Sequence, residues 1–190
     1  DYTKEDCFQF HEAVKLHVLP LIEKIYRKKK EKLALDALRP WDTEAEAEGT
    51  EPLKPFTDGN DLYEKSVKCF EQLNPFFADC LRKMNELEHF DLESRKGKAP
   101  GGYNCPLTES GAPFIFMNAA SQMSDVTTMV HEGGHAIHSF LAHKLALSAF
   151  KEYPMEIAEV ASMSMELFSM NHWEAFFDNA DDLKRAKEHQ

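Results

Sequence analysis

The chain has 190 residues, 43% of them hydrophobic, and a formal net charge of −11. A chain of this size can form a core without disulfides, and its negative charge argues against nucleic acid and anionic membranes as partners. No apolar run approaches the roughly 20 residues that cross a bilayer, and no signal peptide is visible. We therefore expect a cytoplasmic protein with reduced thiols at its four scattered cysteines, Cys7, Cys69, Cys80 and Cys105.

The first half of the chain predicts helices. Residues 5 to about 33 carry apolar side chains at helical spacing, with a kink expected at Pro20. Two more helices are predicted, over about 60–72 and from Asn74-Pro75 to about 89, where Asn74 is the N-cap and Pro75 the first helical residue. Residues 94–113 are rich in glycine and proline and predict a loop.

Residues 114–118 form a short run of aromatic and β-branched side chains, which predicts the one convincing strand of the chain. Its position, shortly before the next helix, suits an edge strand along which an extended peptide could pair. A core strand remains the alternative. The predicted substrate-binding residues are those of the run, Phe114, Ile115, Phe116, Met117 and Asn118.

The sequence His131-Glu132-Gly133-Gly134-His135 is an H-E-x-x-H motif. It lies in a predicted helix with Ser124 as N-cap and Asp125 in its acidic first turn. Residues four apart lie on one helix face, so both imidazoles can reach one Zn²⁺ at about 2.0–2.1 Å. Glu132 follows the first ligand directly and is the candidate general base toward a metal-bound water.

Zinc at a catalytic site needs a third protein ligand. His138 lies seven residues after His131, a rise of about 10.5 Å, so we predict that it packs beside the site without binding the ion. A third histidine ten residues after the first is excluded, because that residue is Leu141. A later helix, starting at Tyr153-Pro154, offers three carboxylates instead. Spacing alone leaves Glu159 and Glu166 as equal candidates for the third ligand, and Glu156 as a weaker one. Ser162 lies beside Glu159 and Glu166.

The two motif segments resemble the M3 metallopeptidases, most closely the oligoendopeptidase F branch related to thimet oligopeptidase. They read His131-Glu-Gly-Gly-His-Ala-Ile-His-Ser-Phe-Leu and Tyr153-Pro-Met-Glu-Ile-Ala-Glu-Val-Ala-Ser-Met-Ser-Met-Glu166. The resemblance implies that Glu159 is the third zinc ligand and that Glu166 is a neighbouring carboxylate that supports the site. Gly133 departs from the large apolar residue often found in its position in this family.

The resemblance further implies a mainly α, zincin-like catalytic region with one short strand or small sheet before the zinc helix. It implies one Zn²⁺ per chain and a zinc-dependent endopeptidase that cleaves short peptides. Residues 1–190 would form a single partial catalytic domain, divided into a helical part (1–93), a loop and strand (94–123) and the zinc-binding helices (124–190). Family members are far longer and carry a histidine and tyrosines downstream, so we expect this piece to be weakly active or inactive.

Two other classes of protein remain as alternatives. A ferritin-like di-metal carboxylate bundle needs two Glu-x-x-His motifs, and Glu86-Leu-Glu-His89 could accompany Glu132-Gly-Gly-His135. That assignment would leave His131 without a role. The other alternative is a helical interaction module without catalytic activity.

Overall fold

The computed structural model describes residues 2–43 and 45–189, which divide into two compact units, 1–52 and 53–190. The architecture is mainly helical with one small sheet, as predicted. No helix within the described residues is both long and apolar enough to cross a membrane. The single catalytic domain stays a prediction.

The first unit contains α1 (Lys4–Ala13), a π-helical turn (Val14–Val18), α2 (Leu19–Lys32) and a short 3₁₀ turn (Pro40–Asp42). Thr3 caps α1 together with Asp6. The irregularity expected at Pro20 lies just before it: proline has no N–H for the carbonyl four residues earlier, and the wider π turn accommodates that loss. None of the residues described in this unit is buried.

The helices of the second unit are α3 (Gly59–Leu73), α4 (Pro75–Glu86), α5 (Met123–His143), α6 (Met155–Ser169) and α7 (Ala180–His189), with 3₁₀ turns at Ser148–Phe150 and Met170–Ala175. Asn74 is the N-cap of α4, as predicted. The predicted N-cap Ser124 is wrong, because Gln122 is the N-cap, whereas Asp125 lies in the first turn as predicted. The Asp125 carboxylate accepts hydrogen bonds from the backbone N–H groups of Ala120 and Gln122, each 2.8 Å long.

Three short strands form one sheet in the order β1-β3-β2, where β1 is Phe90–Glu93, β2 is Tyr103–Cys105 and β3 is Phe114–Ala119. β1 runs parallel to β3, and β2 runs antiparallel to it. The prediction that β3 is an edge strand is therefore wrong, because its neighbours occupy both of its edges. The prediction of a featureless loop over 94–113 is also corrected, since β2 lies within it.

The side chain of Lys98, in the loop after β1, is hydrogen-bonded to that strand. The Lys98 side chain is 1% exposed, and its ammonium donates to the carbonyls of Asp91 and Glu93 and to the Asp91 carboxylate. It also lies 4.5 Å from the centre of the Phe116 ring. Hydrogen bonds lower the pKa of Asp91 to about 2, and those from Arg95 contribute more than those from Lys98.

The hydrophobic core of the second unit lies between the sheet and its helices. Two of the cysteines, Cys69 and Cys80, are buried in it, and burial raises the pKa of each thiol to about 12. The other two, Cys7 and Cys105, are exposed. The largest fully buried side chains include Trp173, Phe70, Leu62, Leu81, Met84 and Ile115.

Candidate metal centre

The candidate site forms where α5 and α6 pack closely together. A Cβ atom on Gly134 would lie 2.7 Å from the Ser162 Cα and 3.0 Å from the Met165 Cβ, both on α6. Only a residue without a side chain allows this approach. The close packing brings a carboxylate of α6 to the histidines of α5.

Three side chains converge across this contact. The Nε2 atom of His131 lies 3.4 Å from Oε2 of Glu159, and the Nε2 atom of His135 lies 3.7 Å from Oε1 of the same carboxylate. One potential ligand atom from each of the three residues falls within 4.8 Å of the others. Within the described residues, this is the group of histidine, cysteine and acidic side chains with a geometry suited to a metal ion.

Each of the three side chains is held by a further contact. His131 Nδ1–H donates to Oε1 of Glu166 at 2.6 Å, and the imidazole of His135 is hydrogen-bonded to the backbone of Ala158. The hydroxyl of Ser162 donates to Oε2 of Glu159 at 3.1 Å. Such contacts fix the orientation and tautomer of metal-binding side chains.

The donor set fits a divalent metal ion. Ligands at about 2.0–2.1 Å in a tetrahedral arrangement are about 3.4 Å apart, close to the two separations between nitrogen and carboxylate oxygen. Burial is the main cause that lowers the pKa of His135, with the neighbouring His131 adding to it. The lowered pKa favours the neutral imidazole, which is the form that binds a metal.

Glu132 lies beside this cluster and is 7% exposed. Burial raises the pKa of its carboxyl group, and the charge of Glu159 adds to the increase. His131 and a backbone hydrogen bond from Asn104 act in the opposite direction. The side-chain amide of Asn104 also donates to the Glu132 carbonyl at 3.3 Å, so β2 is attached to the helix at this turn.

His138 lies outside the cluster of His131, His135 and Glu159, and its supporting role at the site stays a prediction. Its ring stacks on Tyr153 with centroids 3.9 Å apart and an interplanar angle of 23°. Tyr153 also shares a hydrogen bond of 3.2 Å with Ser139. Asn104 contacts Glu132, whereas Tyr153 contacts His138 and Ser139, about one turn beyond His135 on α5. Sequence reasoning assigned neither residue a role, because a loop asparagine and a tyrosine before a helix have no diagnostic spacing.

The predicted substrate-binding run divides in two. Ile115 and Met117 are 0% and 1% exposed, so their side chains cannot contact a substrate and that prediction is wrong. Phe116 stacks on Tyr103 with centroids 5.0 Å apart, and the amide of Asn118 donates to two carbonyls of the loop before β2. Contact of Phe114, Phe116 and Asn118 with a substrate stays a prediction.

The comparisons with known proteins agree with this arrangement. The family model for peptidase family M3 matches residues 1–190. The chain belongs to peptidase family M3. Oligopeptidase PepF of Bacillus subtilis is 29% identical to this M3 chain over 175 residues, covering 88% of the chain and 24% of PepF. An oligoendopeptidase F homolog of Lactococcus lactis is 28% identical over 159 residues, covering 82% of the chain and 25% of the homolog.

The fold also matches a solved structure. Pz peptidase A, crystallised with an inhibitor, superposes with a TM-score of 0.88 at 31% sequence identity, covering 100% of this M3 chain and 33% of that protein. The chain spans about a quarter of the length of the curated relatives it matches.

The residues of the di-metal alternative are engaged elsewhere. The Glu86 carboxylate pairs with Lys83, and Nδ1 of His89 lies 3.1 Å from the Pro113 carbonyl. Neither residue joins the cluster described above.

Proposed function

We propose that this chain carries the metal-binding and proton-transfer groups of a zinc-dependent endopeptidase that cleaves short peptides. The observation that carries the proposal is the convergence of His131, His135 and Glu159, with ligand atoms within 4.8 Å of one another. His131, His135 and Glu159 would hold a zinc ion, because two imidazoles and one carboxylate are a ligand set of catalytic zinc sites. A bound zinc supplies Lewis acidity toward the scissile carbonyl and acidifies water.

Glu132 is the group that would move the proton. Its carboxylate accepts a proton from the attacking water and then delivers it to the leaving amine. The raised pKa suits both steps, because a more basic carboxylate takes the proton more readily and its acid form persists closer to neutral pH. A backbone hydrogen bond from Asn104 to this carboxylate would help to hold it in place.

The outer edge of β2 is the surface along which the peptide would lie. β2 pairs with β3 on one side only, and Asn104 attaches it to the turn of α5 that carries Glu132. An extended peptide added to such an edge gains backbone hydrogen bonds that do not depend on its sequence. β2 therefore replaces β3 as the strand that holds the substrate.

Metal content of the purified chain tests the proposal directly. We expect one zinc per chain in the wild type and its loss in Glu159→Ala, because two imidazoles alone leave the ion under-coordinated. Glu156→Ala, at an exposed position of the same helix, is the control and should keep its zinc. Two irons per chain would instead support the di-metal bundle, and a metal-free wild type would contradict a metal centre.

The role of Glu132 needs a separate experiment on a family-length protein that contains this chain. Glu132→Gln should keep the zinc and lose peptide hydrolysis by about 10²–10⁴-fold, the usual contribution of a general base. Unchanged hydrolysis would refute the assignment.

A further inference from the structure

A cavity of about 600 Å³ in the second unit is lined by residues of α5 that follow His135. Its walls come from the second half of α5, the segment that follows β2 and the segment that precedes α6. Ser139, Ala142 and His143 line it from α5, Pro106 and Leu107 from the segment after β2, and Tyr153 from the segment before α6. The walls thus belong to α5, which carries His131 and His135, and to segments next to β2 and α6.

The cavity continues the path that a peptide on β2 would follow. Pro106 and Leu107 come directly after Cys105, the last residue of β2. Ser139 is four residues after His135 on the same helix face, a rise of about 6 Å. Neighbouring residues of an extended peptide are about 3.4 Å apart. The cavity is therefore one or two residues from a bond held at the metal centre.

The walls favour an apolar ligand. Pro106, Leu107 and Ala142 contribute carbon atoms, and the hydroxyls of Ser139 and Tyr153 are hydrogen-bonded to each other at 3.2 Å. Lys151 and Glu152 also line the cavity, but their opposite formal charges leave no net charge to attract an ion.

Aromatic groups are favoured further by the ring of Tyr153. One face of that ring stacks on His138, so its orientation is fixed. A ring that enters the cavity can pack against Tyr153 in the edge or offset geometry that aromatic pairs prefer. The volume lies within the roughly 300–1,000 Å³ that is typical of pockets for small ligands, so a bulky side chain can enter.

We infer that this cavity binds a large apolar side chain of the peptide substrate, above all an aromatic one, beside the bond held at the metal centre. The inference rests on the proposed function. It makes Leu107, Ala142 and Tyr153 determinants of specificity, whereas the metal ligands decide only whether the ion is bound.

The test compares three zinc-chelating probes with the zinc-loaded chain: the hydroxamic acids of N-acetyl-phenylalanine, N-acetyl-alanine and N-acetyl-glutamic acid. Titration calorimetry measures the affinity of each without any need for turnover. The phenylalanine probe should bind at least about tenfold more tightly than the alanine probe, because a phenyl group leaves water. The glutamic acid probe should gain no such advantage.

Two variants locate the side chain. Leu107→Ser removes apolar surface from one wall, and Ala142→Leu fills the cavity from the opposite wall. Both should reduce the difference between the phenylalanine and alanine probes several-fold and leave zinc affinity unchanged. The control is Leu145→Ser, because Leu145 is similarly exposed (45%, against 38% for Leu107) and lies outside the cavity.

The outcomes separate the two proposals. Suppose that zinc binds but the phenylalanine and alanine probes have equal affinity, or that neither cavity variant reduces the difference between their affinities. The cavity inference is then overturned and the metal centre stands. If the chain takes up no zinc and binds no hydroxamate, the proposed function fails and the inference fails with it. A preference for phenylalanine that both cavity variants reduce supports both.

Discussion

Among the single residues of the site, Glu166 has the most specific supporting contact. It accepts the Nδ1–H of His131 at 2.6 Å and leaves Nε2 directed at Glu159. The carboxylate thereby selects the tautomer that can donate its Nε2 lone pair to a metal ion. We expect its influence to extend to the strength of metal binding.

Replacing this carboxylate tests that influence. Glu166→Gln keeps the size of the side chain and removes its charge, so zinc affinity should fall by about 10–100-fold. Competition with a coloured zinc chelator measures the change. Glu156→Gln, an exposed glutamate of the same helix, is the matched control and should have the wild-type affinity. Equal affinities for the two variants would show that Glu166 does not support the ligand.

The choice between Glu159 and Glu166 as the third candidate ligand shows the limit of sequence reasoning. Glu159 and Glu166 are seven residues apart and share a helix face, so spacing alone left both open. In the structure, one faces the Nε2 atoms of His131 and His135 and the other faces Nδ1 of His131. That difference depends on where α6 crosses α5 at Gly134, and no local pattern records the crossing. Only the resemblance to the M3 peptidases favoured Glu159.

Among the elements, the contact of α3 with α5 explains the unusual residue in the motif. Gly133 replaces the large apolar residue expected from the resemblance, and a Cβ atom there would lie 2.7 Å from two ring atoms of Phe70. Phe70 is itself fully buried. The phenyl ring of α3 thus occupies the volume that a side chain on α5 would otherwise fill.

Gly133→Ala should therefore destabilise the protein despite the better helix propensity of alanine, which favours the variant by about 1 kcal/mol. We expect a net loss of up to about 2 kcal/mol in the free energy of unfolding, because overpacking commonly costs about 1–3 kcal/mol and the helix propensity offsets about 1 kcal/mol of it. Urea denaturation gives the value. In the Phe70→Leu background the same substitution should be neutral or stabilising, and additive effects would contradict a direct clash.

The attachment of β1 to its loop predicts a dependence of stability on pH. The pKa of Asp91 in the folded state, about 2, lies below its ordinary value of 3.8. Its ion pairs therefore contribute stability that is fully present above pH 4 and is lost as the pH falls toward 2. The contribution should be about 1–2 kcal/mol after allowance for solvent around the Arg95 partner.

Urea denaturation of Asp91→Asn and the wild type across this range checks the prediction. The variant should be less stable at pH 6, and the difference should shrink toward pH 2. Asp79→Asn, which removes an exposed carboxylate from a surface pair with Arg82, is the control and should change stability much less. A constant difference between Asp91→Asn and the wild type would exclude this titration.

The predicted elements differ in quality for a physical reason. Helices of 10 or more residues, such as α3 and α6, repeat their apolar spacing several times and were predicted within a few residues. β1 and β2 have 4 and 3 residues, too few to repeat a two-residue alternation. The burial of Lys98 has no sequence signal of its own, because two of its acceptors are main-chain carbonyl groups, which any sequence provides.

At the scale of the whole molecule, the core and the candidate site both belong to residues 53–190. None of the described residues between 2 and 52 is buried, and all the cluster residues lie in the second unit. We expect residues 53–190, prepared alone, to unfold cooperatively and to bind one zinc with the affinity of the whole chain. Calorimetric titration and thermal unfolding test this expectation.

Zinc should also stabilise both forms equally. A ligand that binds only the folded state at 100 times its dissociation constant adds about 2.7 kcal/mol, so the rise in unfolding temperature should match in the two preparations. The Glu159→Ala variant of each is the control and should show no rise. A shortened form that is unfolded or binds zinc weakly would show that the first unit contributes to the site.

The four thiols of the chain make it possible to measure how often its core opens. At pH 8 a thiol with a pKa of about 12 is ionised to only about one part in 10⁴, and the protein also covers Cys69 and Cys80. Cys7 and Cys105 are exposed, so a thiol reagent should label them first. Slower labelling of the buried pair then follows transient opening of α3 and α4, and under fast reclosing its rate gives the equilibrium population of the open state. Mass spectrometry can follow both phases, so the native cysteines serve as reporters of local unfolding without an introduced probe.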